Sequence, residues 1–140
     1  MVRSVDESRP VDNLEWKMMV TRMLMSGCVL LLPCMVAVAG KADVVDVKVR
    51  KTGDGVYRFD VTVAHDDKGW GHYANRWDVL APDGKVLGSR TLYHPHVDEQ
   101  PFTRSLPDVR IPADVKRVEV RAYDSAHGGG GVTMTVDVPG

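Results

Sequence analysis

The chain has 140 residues, 18 Lys+Arg against 19 Asp+Glu, a net charge of −1, and 6% aromatic residues. That length suits one domain. A nearly neutral chain with few aromatics has neither the basic field nor the stacking platform that nucleic acid needs, so nucleic acid is not expected as a partner.

In chain order, residues 1–16 are polar. Lys17 and Arg22 then flank an apolar stretch, Met23 to Val38, which ends in Ala37-Val38-Ala39. A positive flank, an apolar run and an A-x-A site predict a secretory signal peptide cut after Ala39. The polar start does not belong to such a signal, so translation is expected to begin at Met18, Met19 or Met23. The run is shorter than the ~20 apolar residues that span a bilayer, and Pro33 interrupts it. Neither cysteine suits lipidation, since Cys28 precedes the apolar stretch and Cys34 follows a proline. The expected organisation is an extension and signal peptide over 1–39 and a domain over 40–140, exported to the periplasm or secreted. No membrane insertion is expected after cleavage. The product has no cysteine, hence no disulfide and no thiolate ligand or nucleophile.

From Asp43 onward the apolar residues alternate, the period of strands. Val45, Val47 and Val49 share one face, and Tyr57, Phe59, Val61 and Val63 share the next. Tyr73, Asn75, Trp77 and Val79 alternate in a third run; "KVLGSRTLY" and "PFTRSL" are weaker strands. Val118, Val120 and Ala122 point inward in a sixth run, and Val132, Met134, Val136 and Val138 in a seventh. "KTGDG" and "APDGK" read as hairpin turns, "PDVRIPAD" as a loop and "DSAHGGGG" as a flexible one. No 3.6-residue apolar period is sustained. Trp77, Tyr57 and Tyr73 are expected in the core, and Trp70 over its top.

Seven short strands in about 100 residues predict an all-β protein, a single antiparallel β-sandwich. In strand number, turn spacing and the position of Trp77 on the third strand, the pattern resembles immunoglobulin-like and fibronectin type III-like domains. The Cys…Trp…Cys signature is absent. The phrases "HPHVDEQPFTRSL" and "DSAHG" are similar to those of small exported bacterial proteins. That resemblance implies an exported domain and no activity.

All five histidines, His65, His72, His94, His96 and His127, lie in residues 40–140. If the strands run up and down, every one falls in a loop at the same end, with Asp66, Asp67, Asp98, Glu99 and Asp124. An acidic, imidazole-rich rim favours a cation. Pro95 holds His94 extended, and in an extended chain His94 and His96 point the same way. Imidazole nitrogens suit Zn(II) and Cu(II). The expected metal ligands are therefore His94 and His96 first, then His72, His127 and His65. Asp98, Glu99 and Asp124 are auxiliary ligands or orient an imidazole.

The competing expectation is a non-enzymatic periplasmic module that binds a protein or glycan, its histidines structural. Ser89, Ser105 and Ser125 lie in no nucleophile motif, so no catalysis is expected; a metal-assisted hydrolase is a third reading. The glycines at 128–131 precede a strand and acids, not a helix, so they do not read as a phosphate loop.

Overall fold

Residues 40–140 are described in a computed structural model; the expected signal peptide, its alternative starts and both cysteines lie outside them. Seven strands form: β1 (Asp43–Gly53), β2 (Val56–Ala64), β3 (Ala74–Leu80), β4 (Val86–Thr91), β5 (Phe102–Arg110), β6 (Arg117–Asp124) and β7 (Met134–Asp137). They pair antiparallel in two sheets, β1-β2-β5 and β4-β3-β6-β7. The protein is an antiparallel β-sandwich. An immunoglobulin constant domain places its fourth strand beside the first sheet; here β4 stays with β3.

The alternation expected for β2 and β6 holds. Tyr57, Phe59, Val61 and Val63 are buried from one sheet, and Val118, Val120 and Ala122 from the other, around a fully buried Trp77. Phe102, Val109 and Ile111 close the core. Burying each such side chain stabilises by about 1.5–3 kcal/mol before entropy is counted.

Bulges account for three departures. The β1–β2 register shifts between Val44 and Asp46, so Val44 is buried and Val45 exposed, while Val47 and Val49 keep the inward phase. An extra residue in one strand reverses the alternation beyond it. The β3–β6 register likewise shifts between Ala74 and Arg76, so Ala74 is buried where Tyr73 was expected; Tyr73 packs edge-on against Trp70. Residues 107–110, expected as a loop, continue β5. Pro107 and Asp108 both lie opposite Arg58, Asp108 adopts φ 58°, and pairing resumes at Val109. The bulge absorbs the proline that cannot donate to the ladder. Val132 lies before β7 with its side chain exposed, because its backbone is bonded to β1 instead. Trp70, expected over the core, is 70% exposed.

The turns at 51–55 and 81–85 form as expected. Gly55 (φ 65°) and Gly84 (φ 86°) take positions disfavoured for other residues. Both lie at one end of the sandwich. The segment before β1 and the loops β2–β3, β4–β5 and β6–β7 meet at the other. No helix long and apolar enough to cross a membrane occurs among the described residues.

Candidate metal centre

His65 directly follows β2, and continuing the inward phase of that strand buries its side chain completely. Its Nδ1 is hydrogen-bonded to Asp67 Oδ1. Asp67 is fully buried too, and also accepts from the N–H of Ala74 (3.0 Å) and of His96 (2.7 Å). A carboxylate with those donors fixes the His65 tautomer: Nδ1–H donates, and Nε2 keeps its lone pair. That lone pair points toward His72, whose Nε2 lies 3.3 Å away.

His72 closes a tight reversal in which Lys68 N donates to His72 O (2.9 Å) and His72 N to Gly69 O (3.2 Å). Gly69, at φ 117°, makes that reversal possible. The His72 ring meets His65 on one side and His127 on the other. Both centroid separations are 4.8 Å, with interplanar angles of 77° and 68°. The three rings thus turn their edges to a common point.

Asp124 ends β6 with its side chain fully buried. Oδ1 accepts from the N–H of Ala126 (2.9 Å) and of His127 (2.6 Å). It also lies 3.3 Å from His72 Nε2 and 3.2 Å from His127 Nδ1. Oδ2 is buried with no hydrogen-bond partner. Burial opposes ionisation, but the amides of His127 and Ala126 outweigh it and hold the carboxyl below its usual range. The buried group is an anion.

The last contributor is a main-chain oxygen. The Gly40 carbonyl lies 2.7 Å from His127 Nδ1, 3.0 Å from His72 Nε2 and 3.4 Å from His65 Nε2. A Cβ on Gly40 would fall 2.7 Å from His127 Cε1, so only glycine brings the backbone this close.

His65, His72 and Asp124 offer ligand atoms within 4.8 Å of one another and could hold a metal ion. His127 shares Asp124 Oδ1 and Gly40 O with them. Three nitrogens, a carboxylate oxygen and a carbonyl oxygen face inward. With neutral rings at most two protons lie among them, because the His65 proton is committed to Asp67. Two protons leave part of this set of lone pairs without a donor, and a cation at its centre would satisfy the rest. Its 3.2–3.3 Å separations match the edge of a tetrahedron about a metal with ~2.0 Å bonds, which is about 3.3 Å. The Asp67–His65 pair is the carboxylate–imidazole arrangement that orients a ligating histidine. Gly40, Lys41, His65 and Val97 line a shallow open groove beside the cluster.

The other expected ligands lie elsewhere at the same end. The His94 and His96 rings lie 4.6 Å apart, but the chain bends at His94 instead of running extended. His94 is exposed, whereas His96 is buried and stacked on Phe102 at 3.9 Å. Both His96 ring nitrogens are without hydrogen-bond partners. Asp98 and Glu99 are exposed, and Glu99 is held by Arg104 at 3.0 Å. The HPH loop touches the cluster through Asp67, which bonds His65 and the His96 backbone at once. Sequence reasoning put Asp67 in the rim without a role. It missed Gly40, whose only signal was a glycine directly after the expected cleavage site.

No protein-family model matches the chain. A curated relative from Halomicrobium mukohataei, described as "Putative lipoprotein", is 42% identical over 97 residues. The match covers 69% of this chain and 47% of the relative, so the chain spans about half the length of the relative it matches. A crystal structure of superoxide reductase in the oxidised state gives a TM-score of 0.43 at 13% identity, covering 72% of this chain and 90% of that one. Likeness at that level bears on neither site nor activity.

Proposed function

We propose that this protein is an exported β-sandwich that binds one divalent ion, Cu(II) or Zn(II), through His65, His72, His127 and Asp124. The observation that carries the reading is the convergence of imidazole nitrogens on one buried carboxylate, with three of the separations at 3.2–3.3 Å. Imidazole and carboxylate donors without thiolate suit these two ions, and soft Cu(I) is disfavoured. The role is binding or delivery, not catalysis. Export rests on the signal-like segment, and the lipoprotein description of the relative supports it. In this reading the His94–His96 pair supports the site through Asp67 and does not ligate the ion.

The test is a calorimetric titration of the metal-free protein with Zn(II) and with Cu(II), beside two double variants. One saturable site is expected in the parent, lost in His72→Ala/His127→Ala and retained in His94→Ala/His96→Ala. Loss only in the second variant would move the site to the HPH pair. No saturable site in the parent would overturn the reading.

A second reading is favoured by Trp70 and Tyr93, which are 70% and 76% exposed on loops at the same end. Exposed aromatics beside polar loops suit contact with a protein or glycan partner. Alanine at both positions would then abolish partner capture without altering metal binding.

A further inference from the structure

The Gly40 carbonyl is delivered to the metal centre by bonds to the residues that follow it. Val44 N donates to Val132 O (2.8 Å), and Val132 N donates to Asp43 Oδ1 (2.7 Å). Ala42 and Val44 are each 1% exposed. The backbone approach is so close that a Cβ on Gly131 would fall 2.0 Å from Ala42 O. These contacts fasten residues 42–44 to the β6–β7 loop, so nothing before Gly40 is needed to hold its carbonyl against three imidazoles. Gly40 is also the first residue after Ala37-Val38-Ala39.

We propose that Gly40 becomes the N-terminus of the exported chain and completes the metal site with its α-amine and carbonyl. A leader peptidase hydrolyses the Ala39–Gly40 peptide bond. One water is consumed, Ala39 keeps the carboxylate and Gly40 gains the free amine. An amide nitrogen is a poor ligand because its lone pair is delocalised into the carbonyl. An amine nitrogen is a good one, and with the carbonyl oxygen of its own residue it closes a five-membered chelate ring. Processing therefore adds an amine nitrogen to the donors already there, and the ion is held firmly only after export. This regulation rests on the ligand set proposed above.

The test uses three forms: the uncleaved 140-residue chain, the processed chain starting at Gly40, and the processed chain with one alanine added before Gly40. All seven strands and the whole described core lie after Gly40, so each form contains the complete sandwich. Coincident thermal unfolding of the metal-free forms checks this. Cu(II) and Zn(II) affinities are read by competition with a chromophoric chelator, and proton release by titration in two buffers. The Gly40 form is expected to bind at least about tenfold tighter than the other two. It should also release about one more proton per ion than the uncleaved chain, since a free α-amine is largely protonated at pH 7. Equal affinity and proton release in all three forms overturns this proposal and leaves the histidine site standing. Absence of binding in all three overturns both. Sequencing the N-terminus of the exported protein must return Gly40; any other start overturns the proposal.

Discussion

At the residue scale, His96 shows what burial does to a titrating group. Burial lowers its pKa, and the charges of Arg104 and His94 add to that effect. Its neutral ring stacks on Phe102. The unfolded chain takes up a proton as pH falls through about 6.5, while folded His96 does so only at lower pH. The unfolded state therefore binds more protons between those two values. The stabilising contribution of neutral His96 is full above the unfolded pKa and is lost as pH falls toward the folded one. In the metal-free protein, His96→Phe should flatten the loss of thermal midpoint between about pH 7 and 5 relative to the parent. Parallel profiles would show that burial of this ring does not set the acid response. Histidine was legible in the sequence as a loop residue, but neither its burial nor the Phe102 stack was, because both depend on where β5 brings Phe102.

At the element scale, the bulges decide which residues reach the core and which reach the candidate metal centre. The bulge in β1 brings Val44 inward and leaves Asp43 free to accept the Val132 amide, and that bond anchors the segment bearing Gly40. The bulge in β5 depends on Asp108 at φ 58°, a conformation that Asp tolerates and β-branched residues resist. Asp108→Val should destabilise by about 1–2 kcal/mol and Asp108→Gly by much less, read from chemical denaturation midpoints at constant slope. Equal effects of the two would argue that the Asp108 side chain matters, not its backbone. Periodicity alone could not locate these bulges. One inserted residue reverses the phase, and the sequence around Val44, Ala74 and Pro107 is apolar enough to satisfy either phase until the partner strand is known.

At the scale of the whole molecule, stability and ion binding are linked. The proposed ligands come from the β2 end, the β2–β3 loop, the β6 end and the β6–β7 loop, so unfolding scatters them and only the folded state binds. Free metal at about a hundred times the dissociation constant should then raise stability by about 2.7 kcal/mol. For a domain of this size that is a rise in thermal midpoint of roughly ten degrees or more. A chelator should reverse it, and His72→Ala/His127→Ala should not respond. An unchanged midpoint in the parent would sink the linkage.

The sequence by itself determined the strand count, the antiparallel sandwich and the burial of Trp77, Phe59 and Val120, because period-two alternation and glycine turns are local signals. It also determined that the histidine loops share one end, because strand direction alternates along the chain. Only the tertiary structure decided which histidines meet. The HPH pair was prominent because its two rings are neighbours in the chain, whereas His65, His72 and His127 are brought together by β2, β3 and β6 from both sheets. Their orientation depends on Asp67 and Asp124 taking backbone amides, and their closure depends on a glycine that precedes β1. Proximity of that kind is a property of packed strands, and spacing along the sequence does not contain it.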